Sequence, residues 1–507
     1  MWRWGLHRVS VVLRGIPLVP ILVAAVLVCA SCGGQDEQGR RGKQIETTFS
    51  PETTLSAKEM PNILFILTDD QDPESLARMD RVQRLLVRKG TSFENAFATT
   101  PLCCPSRVSF LRGQYAHNHG VLVNDNSPQL RGGYEGFREL GLQDSTVATW
   151  LDEVGYDTFY AGKLLNGYKN TSYVPPGWDE WYAFSGHPHW GSYDVNENGE
   201  LKTYAQADKH ETYYLRDKAE AFIREGVKEG GEPWFAMVAT HAPHNPHTRA
   251  PEFRHSYDEA SMPKPPSYNE ADVSDKPEWI RDRPRLDPRC ETAKGNPDCN
   301  EEMTKTWRAR QKALMSVDVM VKDLVDALEE TDQMERTYVV FASDNGFVIY
   351  RHRVYSKGAP YEEIQGIPFV VRGPGVRQGA VSHELVANID LAPTIAEWAD
   401  IQPPEYVDGR SLVPLLEDTS TSWRRWLLFE HFLSDHPYVG IRTAGGESYI
   451  EYESGEKEYY DLRVDPWQLH SSHAAPENAQ RLAQLSRSLS ALKVCEGARC
   501  RTVDRGP

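Results

Sequence analysis

Residues 62–70 read "NILFILTDD", a short apolar run that ends in two aspartates. Two later stretches repeat the pattern: residues 234–244, "WFAMVATHAPH", and residues 338–346, "YVVFASDNG". Each run has the length of a strand and lacks polar alternation, which predicts strands buried on both faces, as in a parallel sheet. Between the second and third, Leu314, Val317, Val321, Leu324, Val325 and Leu328 recur at helical spacing and predict an amphipathic helix. Strand and helix patterns in alternation predict an α/β architecture. Ligands of open α/β sheets bind beyond the carboxyl ends of the strands, where all three runs deliver their polar residues.

The chain has 507 residues, 40% hydrophobic and 25% charged, an ordinary globular composition. Its 56 Lys and Arg against 73 Asp and Glu give a net charge of −17, and no basic stripe is visible. Nucleic acid and anionic membrane surfaces are therefore poor partners on electrostatic grounds. An anionic substrate would need a local basic pocket that outweighs the global charge. At the start, Arg3, Arg8 and Arg14 precede or enter the apolar run "IPLVPILVAAVLVCAS", and Cys32 follows. A basic start, a run shorter than the roughly 20 apolar residues of a membrane span, and small residues before a cysteine read as an export signal. "CASC" resembles a bacterial lipoprotein signal, with Cys32 as the lipidated residue, although Cys29 stands where leucine is usual. Residues 1–32 are therefore expected to be a signal peptide with a lipobox, and residues 33–58, polar and Gly/Gln-rich, a flexible tether. An α/β domain is expected over 59–416. Residues 417–507 are expected to form a small α+β subdomain, with a short antiparallel sheet and a helix near 478–493.

Cysteine usage agrees with export. Cys290 and Cys299 flank a Pro/Asp/Gly-rich stretch, Cys495 and Cys500 stand near the end, and two short-loop disulfides fit an oxidising compartment. The sequence leaves the pairing open. Cys103 and Cys104 are adjacent, and vicinal residues form a disulfide only with strain.

Asp69 and Asp70 follow one predicted strand, and Asp344 and Asn345 another. Their oxygens are hard ligands suited to Ca²⁺ or Mg²⁺, although Asp, Asn and Gly also end strands simply as turn formers. Arg107, Lys163 in "YAGKLLNGY", His244 in "HAPHNP" and Lys357 in "YSKGAPYEE" are the candidate anion binders. "CCPSRVSFLRG", residues 103–113, has a proline suited to a first helical turn, and a helix N-terminus favours negative charge.

Cys103, Pro105, Ser106, Arg107, Leu111 and Gly113 together match C-x-P-S-R-x-x-x-L-x-G, so the chain resembles the type I sulfatases. The resemblance spans about residues 61–416 and continues weakly into "YYDLRVDPWQ". It implies an alkaline-phosphatase-like fold with a large, mainly parallel central sheet, and oxidation of Cys103 to formylglycine by a separate generating enzyme. It also implies one Ca²⁺ held by Asp69, Asp70, Asp344, Asn345 and residue 103. Arg107, Lys163, His244 and Lys357 then serve the chemistry, and His117, His241, His352 and Asn166 contact substrate. Three positions depart from the common pattern: Leu165 and Val348 replace histidines, and Arg112 stands where threonine is usual.

"CCPSR", His117-Asn118-His119 and "GKLLNG" resemble the N-acetylglucosamine-6-sulfatase and glucosamine-6-endosulfatase group. The expected substrate is therefore a sulfated hexosamine or glycosaminoglycan fragment, with 6-O-sulfate the expected ester. Residues 178–190, "WDEWYAFSGHPHW", are expected either to pack on the core or to supply Trp181, His187, His189 and Trp190 at the site's mouth. The rival readings are a phosphodiesterase or phosphonate monoesterase with the same nucleophile, a lipid-anchored protein that binds sulfated glycans without cleaving them, and a structural surface lipoprotein.

Overall fold

A computed structural model describes residues 60–506, apart from 128, 227–230, 287–296, 419–421 and 434, and gives the backbone alone for 297–300. Cys32, the tether through residue 58, Cys290 and the side chain of Cys299 lie outside the described residues. The three apolar runs form the centre of a ten-stranded mixed sheet. Asn62–Thr68 lies between Trp234–Ala239 and Thr337–Ser343 and is parallel to both. On the far side of Trp234–Ala239, Asp157–Gly162 and then Glu180–Phe184 continue the parallel set. The hairpin Ser192–Glu197/Glu200–Ala205 closes one edge with antiparallel pairs. Toward the other, Phe369–Arg372 runs antiparallel between Thr337–Ser343 and Thr91–Phe93, and Ala380–Ser382 pairs parallel with Thr91–Phe93 at the edge.

The missing polar alternation has a direct cause in packing. Ile63, Phe65 and Leu67 enter one core with Cys104, Val108 and Trp150, whereas Leu64 and Ile66 enter the opposite one. That second core contains all six residues of the predicted helical stripe, now on the helix Pro297–Glu330. Each such fully buried aliphatic side chain contributes about 1.5–3 kcal/mol relative to exposure.

The register sets the site. Thr68 pairs with Ser343 and Leu67 with Ala239, so the residues after these strands emerge level with one another. Gly162 pairs with Ala239, which brings Lys163 to the same edge. The helix Cys103–Arg112 starts after the extended Leu102 and carries Pro105 in its first turn. It ends at Gly113, whose φ of +68° and a would-be Cβ only 2.9 Å from Val407 Cγ1 leave room for glycine alone.

The C-terminal part is a four-stranded antiparallel sheet, Trp426–His431, Tyr438–Thr443, Glu447–Tyr452 and Lys457–Asp461. The helix Ala479–Leu492 covers it through Leu485, Leu489 and Leu492, and a Cys495–Cys500 disulfide follows. Phe97, Tyr115, Leu385 and Ile389 share this core, so the small sheet packs against the segments around the short pair Ala96–Phe97/Val386–Ala387.

Candidate active site

Asp69–Asp70 and Asp344–Asn345 meet because their strands are parallel neighbours. Asp70 sits in the left-handed region, φ 67°, and its backbone N–H donates to Asp344 Oδ1 at 3.0 Å. That turn aims the carboxylates at the helix carrying Cys103, whose Sγ lies 3.3 Å from Asp69 Oδ1 and 4.0 Å from Asp70 Oδ1. One ligand atom from each of Asp69, Asp70, Cys103 and Asp344 falls within 4.8 Å of the others, and all four residues are buried. Asn345 joins them by donating from Nδ2 to Asp70 Oδ1 at 2.7 Å.

Three cations balance the three carboxylates. Arg107, one turn after Cys103, donates from Nε to Asp344 Oδ2 at 2.8 Å and approaches Asp69 at 3.6 Å. Lys163 bonds Asp69, and Lys357 bonds Asp70. Lys357 Nζ is also 2.7 Å from Cys103 Sγ and 3.5 Å from Asn345 Oδ1. Burial resists ionisation of Asp69 and Asp70, but their cations prevail. Lys163, then His244 and Arg107, hold Asp69 well below the ordinary carboxylate range, and Lys357 with His244 holds Asp70 at about 2. Asp344 goes the other way, raised by burial and by Asp69. Burial and Asp69 push the Cys103 thiol well above its ordinary value, against Lys163 and Lys357. The unmodified side chain is thus a neutral thiol, and a neutral thiol is a poor nucleophile.

Comparison with known proteins gives this arrangement its family. The sulfatase family profile matches residues 61–401, and the C-terminal profile of N-sulphoglucosamine sulphohydrolase matches residues 351–495. The chain belongs to the sulfatase family. The human N-acetylglucosamine-6-sulfatase is 30% identical over 87% of the chain and 86% of its own length. A Drosophila melanogaster extracellular sulfatase SULF-1 homolog is 36% identical over 73% of the chain, but the chain spans only 32% of that protein's length. A Caenorhabditis elegans relative of the same type is spanned over 49%. Among solved structures, BT4656 in complex with its substrate D-glucosamine-2-N,6-O-disulfate superposes with a TM-score of 0.74 at 22% identity, over 88% of this chain and 99% of that one. A phosphonate monoester hydrolase from Silicibacter pomeroyi shares the fold, with a TM-score of 0.67 at 22% identity over 85% and 94%.

Sulfatases generally use formylglycine and a divalent metal, and the residues of this chain fit both groups. Hard oxygen donors converge from two strand ends, and the Lys357 ammonium already lies among them as a cation would. The 2.7 Å Lys357–Cys103 contact is close for sulfur and ordinary for an oxygen acceptor.

The fold brings Asp69, Asp70, Cys103, Arg107, Lys163, His244, Asp344, Asn345 and Lys357 together. His244 Nε2 lies 3.8 Å from Asp70 Oδ2, and the His241 ring lies 4.9 Å from the His244 ring. Asn166 is half-buried beside Cys104, donating its backbone N–H to Cys104 Sγ. Two of the expected substrate contacts lie apart from the cluster. His117 is engaged elsewhere: Nδ1 pairs with Glu430 at 2.6 Å and Nε2 donates to the Cys495 carbonyl at 2.9 Å. His352 is buried, bonded to Glu270 at 2.7 Å and stacked on Tyr361, so it braces the Lys357 loop from behind. Neither contacts the cluster, because both ring nitrogens face carboxylates or carbonyls of the surrounding structure. Trp181 is also no mouth residue. It is fully buried, stacks on Tyr160 and donates to the Tyr168 hydroxyl. His187 and Trp190 of the same stretch are exposed.

One supporting residue was not singled out from the sequence. Arg310, buried on the long helix, bonds the Asp70 carbonyl and places its guanidinium 4.0 Å from the Phe347 ring centre. It stands four residues before Leu314, a charge inside an apolar stripe, and that misplacement was the available signal.

Proposed function

We propose that this sulfatase removes the 6-O-sulfate of N-acetylglucosamine-type sugars, with formylglycine at position 103 and one Ca²⁺ held by Asp69, Asp70, Asp344, Asn345 and residue 103. The observation that carries the reading is the buried cage in which three carboxylates are balanced by Arg107, Lys163 and Lys357. A divalent ion tips this neutral cage positive, which suits an anionic ester. The Cys103 sulfur stands in for the oxygens of hydrated formylglycine. Bound together, the two groups supply a nucleophilic hydroxyl and a Lewis acid.

The chain's own groups do the rest. Lys163 and Lys357 offer ammonium charge to the sulfuryl oxygens. His244 donates from Nδ1 to the Asn245 carbonyl at 2.8 Å, which leaves Nε2 as an acceptor. Burial holds its pKa at about 4, against the pull of Asp69, so His244 carries no spare proton at neutral pH. Burial works against the Lys357 charge, but Asp70 and residue 103 raise its pKa well above the ordinary lysine value. Lys357 therefore stays charged, and of the two groups it is the one that holds a proton beside residue 103, where the leaving alcohol can take it only as negative charge develops on its oxygen. Arg107 orients Asp344 and Asp69.

The hexosamine assignment draws on the relatives named N-acetylglucosamine-6-sulfatase and on the "GKLLNG" and "HNH" stretches. Turnover of N-acetylglucosamine-6-sulfate should exceed that of its galactosamine counterpart, of an iduronate 2-sulfate and of matched phosphate and phosphonate esters. Preference for the 2-sulfate sinks the sugar assignment, and preference for phosphorus esters sinks the sulfatase chemistry. Labelling of residue 103 by a hydrazide, lost in Cys103→Ala, tests the aldehyde, and an unlabelled active enzyme refutes it. Export with lipid on Cys32 belongs to the same proposal, and no helix among the described residues is long and apolar enough to cross a membrane. Activity that stays with membranes in Cys32→Ala refutes the anchor.

A further inference from the structure

His187, His241 and His244 come from two different loops, after the strands Glu180–Phe184 and Trp234–Ala239. One ring nitrogen from each lies within 4.8 Å of the others. The His187 ring stacks on His244 at 5.7 Å, with planes 9° apart, and lies 5.6 Å from His241. His241 is 1% exposed, yet neither ring nitrogen makes a hydrogen bond: Nδ1 meets Glu211 Oε1 only at 3.8 Å, and Nε2 is unsatisfied. A buried imidazole with no partner is costly unless something outside the chain satisfies it.

We propose that these three histidines form a second metal site, beside the carboxylate cage and bordering it at His244, for a borderline-soft divalent ion such as Zn²⁺. Three imidazoles with an open fourth position are a standard zinc donor set, whereas Ca²⁺ prefers oxygen. The surroundings assign the nitrogens. His244 Nδ1 is committed to the Asn245 carbonyl at 2.8 Å, which frees Nε2. Behind His241, Glu211 Oε1 lies 3.8 Å from Nδ1, so Nε2 is the outward ligand and the carboxylate is placed to orient the ring. Glu211 is itself fixed by Thr248 and Gln206 and is 1% exposed. The nearby Lys163 charge is already paired with Asp69, which limits its repulsion of an incoming cation. Because His244 also faces Asp70, an ion held here obstructs the pocket expected to receive the sulfate. The site is thus a brake on the enzyme, a consequence that rests on the function proposed above, whereas the metal binding itself does not.

The test uses the whole protein with excess Ca²⁺ present, so that the oxygen cage is filled, and Co²⁺ as a coloured substitute for Zn²⁺. Wild type should bind one equivalent of Co²⁺ with visible absorption bands, and Zn²⁺ should displace it. His187→Ala, a change at an exposed ring, should weaken Co²⁺ binding by roughly tenfold or more. Zn²⁺ should inhibit sulfate-ester hydrolysis reversibly in wild type and correspondingly less in His187→Ala. Absence of the bands with Ca²⁺ present, or equal Co²⁺ affinity in wild type and His187→Ala, overturns the proposal. Inorganic sulfate protecting these histidines from modification while Co²⁺ does not would make the trio an anion subsite instead, and would also overturn it.

Discussion

Replacing Arg107 with methionine removes a buried cation and keeps most of the side chain's length. Arg107 is 1% exposed and its two acid partners, Asp344 and Asp69, are fully buried, so neither carboxylate can turn to water. Lys163 and Lys357 then face three carboxylates alone. Breaking a buried pair by removing one partner costs about 3–5 kcal/mol, most of it the penalty on the charge left behind. Arg107→Met should lower the urea midpoint by that equivalent at unchanged slope, followed by tryptophan fluorescence in a chelator. Adding Asp344→Asn neutralises the stranded acid, so the double variant should be more stable than Arg107→Met, with a coupling of about 1–3 kcal/mol. Calcium should narrow the deficit of the single variant by supplying countercharge. A loss under about 1 kcal/mol, or a double variant no more stable than the single, refutes the view that charge balance holds this cage together.

Chelation should abolish turnover and lower the unfolding temperature, and Ca²⁺ should restore both. Zinc restoring activity fully in place of Ca²⁺ would contradict the oxygen-rich cage. Burial lowers and Glu430 raises the pKa of His117, which ends at about 9 against an ordinary 6.5. The pair's stabilisation is therefore complete below pH 6.5 and disappears as pH rises through about 9, a loss that thermal melts of His117→Gln should not show. Gly162→Ala should cost about 3 kcal/mol or more and most activity. Its Cβ would sit 1.8 Å from the Ala239 carbonyl oxygen, the same oxygen that accepts the Lys163 N–H at 2.8 Å.

The parts that the sequence made legible were those governed by local rules. Three unalternated apolar runs indicated strands buried on both faces, and the stripe from Leu314 to Leu328 indicated the helix that covers one face. Asp69, Asp70, Asp344 and Asn345 stood out because hard ligands follow those runs directly. The edge strands were not legible. Thr91–Phe93 and Ala380–Ser382 are three residues each and take their order from pairing across hundreds of positions. Histidine roles were equally hard to read, since His117 and His244 look alike in sequence and differ only in what folds against them. Glu430, which claims His117, lies 313 residues away on the small C-terminal sheet.

That separation explains why the small sheet matters to the site without supplying any of its cage. Gly358, next to Lys357, faces His431 on the first strand of the small sheet: a Cβ there would lie 3.0 Å from that ring. The Gly358 carbonyl bonds His436, and Glu362 and Gln365 just beyond it bond Arg442 and Tyr438. The loop presenting Lys357 is therefore clamped from behind by four residues of the C-terminal sheet and its connections. Lys357 belongs at once to the acid cage and to this clamp, so its ammonium can be held at Asp70 and residue 103 without relying on a flexible surface loop. A chain with a net charge of −17 offers an anion no general attraction. Its affinity for one must come from the few cations fixed at this edge of the sheet, and the clamp fixes one of them.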